Sequence, residues 1–108
     1  MSPISSDSVS TTTDIEADFQ RLAIEWKQET AHLSSIVTIA QHRAYQEIIG
    51  MGTDAIPFIL RDLEESPSQW FWALREISGE SPVRPVDRGD VDAMAAAWLD
   101  WGRRNLYI

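Results

Sequence analysis

HRAYQEIIGMGTDAIPFILRDLEESPSQWFWALREISG, residues 42–79, decides the fold. Short apolar patterns of helical period are cut apart by Gly50-Met51-Gly52 and by Ser66-Pro67-Ser68, and connections this short stack successive helices antiparallel. Ile48 and Ile49 end the first pattern against Gly50, a favourable position for a left-handed residue. Thr53 or Asp54 is placed to cap AIPFILRDLEE, with Pro57 in its first turn, where a missing amide proton does least harm. Ser66, Pro67, Ser68 and Gln69 read as a capping box with proline at the first helical position. They predict a helix over QWFWALREIS that Gly79 closes.

Working outward, DIEADFQRLAIEWKQETAHL at 14–33 puts Ile15, Phe19, Leu22, Trp26 and Leu33 on one stripe. Asp14, Glu16 and Asp18 fall in its first turn, where the helix dipole favours them. The Ser- and Thr-dominated stretch before it has only isolated Ile4 and Val9 to bury, so 1–13 is expected to be a disordered tail and 14–108 a single domain. Ser34 or Ser35 can cap the short run IVTIAQ, and His42 opens the next helix. β-branched Ile36, Val37, Thr38 and Ile39 permit a strand, but no partner strand is in sight, so a short helix is expected. On the other side, Pro82 and Pro85 favour an extended connection. Asp87 or Asp90 then caps a last helix with Val91, Met94, Trp98 and Trp101 along one face and Arg103 and Arg104 at its negative end. Gly102 and Asn105 predict that this helix frays or turns before Leu106, Tyr107 and Ile108 fold back. The fold class is all-α, a compact domain of five or six helices.

Composition narrows function mainly by exclusion. The 108 residues suffice for one core. With 17 acidic against 9 basic side chains, the net charge of −8 opposes the counterion release that drives nucleic-acid binding. Such a surface suits a basic protein partner or serves solubility alone. The absence of cysteine removes disulfides, thiolate metal sites and thiol nucleophiles together. No apolar run reaches the ~20 residues of a membrane span, and MSPISSDSVSTTTD lacks the basic and apolar regions of a secretory signal. A cytoplasmic location is the expectation.

Ile48, Ile49, Gly50, then Gly52, Ala55, Ile56, Pro57, Leu60 and Leu63, followed by Trp72, Ala73, Leu74, Ile77 and Gly79, form a pattern that resembles a HEAT-type helical repeat. The resemblance implies a hairpin at the centre of the domain. Trp70-Phe71-Trp72 is bulkier than the usual repeat residues, and no second G-x-x-A-I-P copy occurs. Repeat stacks bury their faces with about three units, so a lone unit must be closed by its flanking helices or by a second copy in a homodimer. Residues 19–107 also resemble a family of short, uncharacterised bacterial proteins carrying W-x-x-E, SS, H-x-AYQ-x-IIGMG, WFWAL and W-x-x-W in this order. That family is associated with mobile elements and toxin-antitoxin or defence neighbourhoods, which implies an accessory or partner-binding role.

Five tryptophans are an unusual load for this length. Trp70 and Trp72, two apart on a helix, point to nearly opposite sides. Either Trp72 fills the hairpin core while Trp70 is covered by the N-terminal helix or the 80–86 loop, or Trp70 with Phe71 and Arg75 forms an interface hot spot. Trp98 and Trp101 share a face suited to the core; with Arg103, Arg104 and Tyr107 they would alternatively offer a stacking platform for single-stranded nucleic acid.

Catalytic patterns are weaker. Glu25, Glu29 and His32 share a helix face, and Glu29-x-x-His32 has the spacing of helical di-iron ligands, but the required second Glu-x-x-His is missing. No G-x-S-x-G occurs, and Gly50-Met51-Gly52-Thr53 lacks the Gly-Lys-Ser/Thr of a phosphate loop. His42, at a helix start, reads as a cap before it reads as a general base. The sequence therefore predicts a non-enzymatic protein-interaction or accessory module without cofactor or metal. Its expected contact surface is the Trp70, Phe71 and Arg75 side of that helix, to which the Pro82–Pro85 loop can add, and its expected partner is a protein with a basic or apolar patch. A nucleic-acid-associated factor using Trp98, Trp101, Arg103 and Arg104 is the alternative.

Overall fold

The computed structural model describes residues 12–33, 35–66 and 69–108. Within them lie six α-helices and no strand: α1 (Thr12–Thr30), α2 (Ile36–Ala40), α3 (Arg43–Gly50), α4 (Ile56–Glu65), α5 (Phe71–Ser78) and α6 (Val91–Arg104). Short 3-10 helices at Gly52–Ala55 and Pro85–Asp87 complete the order. The expected all-α domain of five or six helices is what forms. No helix among the described residues is long and apolar enough to cross a membrane.

Helix α1 buries the predicted stripe through Phe19, Leu22 and Trp26, adding Ala23, but it ends at Thr30. The buried Thr30 hydroxyl turns back to donate to the Trp26 carbonyl at 2.6 Å. His32 therefore lies beyond the helix. Residues 1–11 of the expected tail fall outside the described chain, whereas the backbone of Thr12 and Thr13 is already helical.

Several local signals act as their chemistry requires. The Ser35 hydroxyl caps α2 by accepting from Thr38 N–H at 3.4 Å, while Ser34 is outside the described residues. Asp90 caps α6, accepting from Ala93 N–H at 3.1 Å, and Gly79 closes α5 with φ 74°. Others do not. Gly50 is the last residue of α3 and Met51 caps it in a right-handed conformation; the left-handed residue is Gly52, with φ 73°. Neither Thr53 nor Asp54 caps α4, because Gly52–Ala55 winds as a 3-10 turn that runs directly into it. Pro67 and Ser68 of the expected capping box lie outside the described residues. Helix α5 starts at Phe71, later than that box predicts, with Trp70 as a cap residue whose own side chain makes no capping bond.

The start of α5 is instead capped from a distance. The Tyr45 hydroxyl, on α3, accepts from Ala73 N–H at 2.9 Å and donates to the Gln69 carbonyl at 2.8 Å. Tyr45 is fully buried, and burial raises its hydroxyl well above the ordinary phenol value of 10.0, against a smaller lowering by the Ala73 amide. The phenol thus stays neutral and can both donate and accept.

Around it stands an aromatic core. Trp70 is 0% exposed, lies 4.5 Å from Trp26 and 5.5 Å from Phe19 between ring centroids, and stacks on Tyr45 at 5.7 Å with an interplanar angle of 12°. Its indole N–H donates to Asp62 Oδ2 at 2.6 Å, and the same carboxylate accepts from Lys27 Nζ at 2.6 Å. One acid on α4 thereby satisfies a buried indole and ties α1 to the hairpin. The Trp26 indole is likewise satisfied, donating to the Ile39 carbonyl at 3.0 Å.

Helix α6 packs on α4. Gly102 is buried there, and a Cβ at that position would overlap the Leu60 side chain, so glycine permits the close approach. The helix does not fray at Gly102; it runs to Arg104. Leu106 N–H then donates to the Arg103 carbonyl at 3.2 Å and Tyr107 N–H to the Gly102 carbonyl at 2.8 Å. This is the paired-bond closure known as a Schellman motif, with Leu106 at φ 63° in the position glycine usually takes. The turn brings Tyr107 back against Trp101 at 5.3 Å, stacked as the expected fold-back requires.

Candidate functional site

Two places gather side chains with chemical potential. On one, Glu25 and Glu29, a helical turn apart on α1, meet His42 at the start of α3, with one ligating atom of each within 4.8 Å of the others. His32, the histidine whose spacing suggested a metal, is not in this group. The hydrogen bonding argues against a cation. His42 Nδ1 accepts from Ala44 N–H at 3.0 Å, so in the neutral ring the proton sits on Nε2, which faces Glu29 Oε1 at 2.7 Å. Binding a metal at Nε2 would move that proton to Nδ1 and break the cap of α3. Glu25 is already neutralised by Arg43, which also pairs with Glu47; Glu25 first, then Glu47, raises the guanidinium further above its ordinary range. The cluster is a polar seam joining α1 to α3, and His42 has the capping role its position predicted.

The second place is a groove of about 330 Å³ between α5, the loop after it and α6. Its apolar surface comes from Phe71 and Trp72 on α5, Val83 on the loop, and Met94 and Trp98 on α6. Gln69 and Ser81 add neutral polar groups, and Arg75 and Arg88 are its charged residues. Local structure explains the gathering. Phe71 and Trp72 are adjacent in the first turn of α5, and Arg75 lies one turn on, four residues from the one and three from the other. The connection expected to be extended at both prolines is irregular only through Arg84, because Pro85 opens the 3-10 turn Pro85–Asp87; the irregular part carries Val83 to the groove.

The groove is electrostatically anomalous. The chain has 17 acidic residues, yet none of those among the described residues lines it. The other exposed cations are mostly committed: Arg21 pairs with Asp18, Arg43 with Glu25 and Glu47, Arg84 with Asp87, Arg103 with Glu64 and Arg104 with Asp100. No ion pair among the described residues involves Arg75 or Arg88. Beside them Trp72 is 46% exposed, a large aromatic left half in water.

Of the three residues expected at a contact surface, two border this groove and one is buried. Phe71 and Arg75 line the groove. Trp70 does not reach any surface: it is the buried centre of the aromatic core, covered by α1 as one of the two readings anticipated. Trp72, expected in the hairpin core, is the exposed member of the pair. The cause is the late start of α5. Trp70 precedes the helix, so its direction is set by the Asp62 and α1 contacts rather than by helical phase.

The stacking platform also needs correction. Trp98 and Trp101 are buried and meet edge to face at 5.2 Å, so neither ring offers a free face of the kind a base needs. Arg103 and Arg104 turn to Glu64 at 3.6 Å and to Asp100 at 2.9 Å. They are not among the residues lining the groove that Trp98 borders. Val83 lies within the 82–85 loop that the sequence reading set beside Phe71 and Arg75, whereas Arg88, which the chain brings to α5 only through that loop, was missed. Comparison with family models, with curated proteins and with solved structures finds no match to this chain.

Proposed function

We propose that this chain is a non-enzymatic protein-interaction module, an adaptor or partner-neutralising accessory domain, that engages its partner through the α5–α6 groove. The observation that carries this reading is the half-exposed Trp72 beside Phe71 and two arginines that form no ion pair among the described residues. Tryptophan and arginine are the side chains that dominate interface hot spots, and they do so around a desolvated centre. His42 caps a helix and meets Glu29, and Tyr45 is buried in a cap, which leaves the two residues best suited to proton transfer with structural work.

The sequence resemblance to HEAT-type repeats supports the same reading, since such hairpins commonly serve as scaffolds for recognition; on it, α3 and α4 act as the repeat unit and α1 and α6 close it. A cytoplasmic accessory role is the corresponding proposal for place. The test is affinity purification of the tagged full chain from its native cell, with Trp72→Ala in parallel. Recovery of one stoichiometric protein that Trp72→Ala loses supports the module. A partner retained equally by both forms, or none with either, counts against the groove as the contact.

A further inference from the structure

We infer that the groove recognises a short peptide segment of another protein that presents an apolar side chain flanked by carboxylates. This rests on the groove being the interaction surface. The chemistry of the lining defines the occupant. Trp72, Phe71 and Met94 supply an apolar bed, which rewards an aromatic or branched aliphatic side chain in proportion to the area it removes from water. Arg75 and Arg88 supply guanidinium forks without carboxylate partners among the described residues, and a guanidinium matches a carboxylate in bidentate geometry.

Charge separates the occupant from its competitors. A basic segment would suit the overall charge of −8, but in this groove it would face two unpaired cations. A nucleic-acid strand would meet the two arginines and then, beyond them, a surface with an excess of acids, against which each further phosphate is repelled. A segment carrying one or two carboxylates uses both arginines and asks nothing of the acidic surroundings. The net negative field also discourages long acidic tracts, so the acidity is expected to be local to the apolar anchor.

The experiment is selection of random twelve-residue peptides displayed on phage against the intact chain, with Trp72→Ala and Arg75→Glu/Arg88→Glu selected alongside. All substituted side chains are exposed, and a cooperative urea transition confirms that each variant is folded. The expected result is enrichment of peptides pairing an aromatic or aliphatic residue with neighbouring Asp or Glu. Synthetic versions of them should bind the double charge variant about tenfold or more weakly, as loss of two charge pairs requires, and the variant's own selection should shift toward Lys and Arg. Enrichment that depends on Trp72 but carries no acidic bias overturns the carboxylate inference and leaves the interaction module standing. Enrichment indifferent to Trp72, or none, overturns both. Binding of a fluorescein-labelled dT20 oligonucleotide that the double variant loses would overturn the peptide in favour of a nucleic-acid strand.

Discussion

Trp70 and Trp72 stand two residues apart and inhabit opposite worlds. Trp70 is enclosed by Trp26, Phe19 and Tyr45 with its indole N–H held by Asp62. Trp72 is half in water over a groove whose two arginines have no ion-pair partner among the described residues. The polar groups on the first side are assigned within the chain, and those on the second are left over. The difference teaches that aromatic content alone does not mark a contact surface; what marks it is an aromatic beside polar groups without internal partners.

That contrast is open to direct breakage. Trp70→Ala empties the centre of the core and is expected to cost about 4 kcal/mol of stability, whereas Trp72→Ala, at a side chain already half in water, should cost only about 1 kcal/mol; urea denaturation of both variants reads the gap. Comparable losses from the two would abolish the distinction. Asp62→Ala leaves the buried Trp70 indole unsatisfied and releases Lys27, for an expected loss of about 3 kcal/mol in the same assay.

Tyr45→Phe keeps the ring and removes the hydroxyl, stranding Ala73 N–H, and should cost about 2 kcal/mol. This loss carries a pH signature. The folded phenol is held neutral above the value at which the unfolded one ionises, so its contribution is complete below about pH 10 and declines as pH rises further, by about 1.4 kcal/mol per unit. The wild-type advantage over Tyr45→Phe should therefore be flat at neutral pH and shrink in alkali. The last effect has the opposite sign. Leu106 is 88% exposed and left-handed, so Leu106→Gly should gain about 1 kcal/mol by relieving the backbone without losing packing.

The helices were legible in the sequence because their signals are local. Asp90, Ser35 and His42 each cap the helix they precede, and Gly79 ends the one it follows. What the sequence hid depends on contacts between distant residues. The roles of Trp70 and Trp72 hinge on where α5 begins, and that is set by Tyr45, 28 residues before Ala73. The Thr53 and Asp54 caps fail because a 3-10 turn supplies continuity into α4 that no cap is needed to start. In the groove, Phe71 and Arg75 were readable from helix spacing; Arg88 was not, since only tertiary packing brings the loop beside α5.

The cap that Tyr45 provides also bears on the order of events in folding. Helix α5 has 8 residues, shorter than the ~12 at which an isolated helix becomes even marginal in water, and the donor bond at its start is closed by a side chain from another helix. It cannot mature before α3 is in place. Truncations within α5 should accordingly speed unfolding while leaving the folding rate nearly untouched, and those in α3 should slow folding itself.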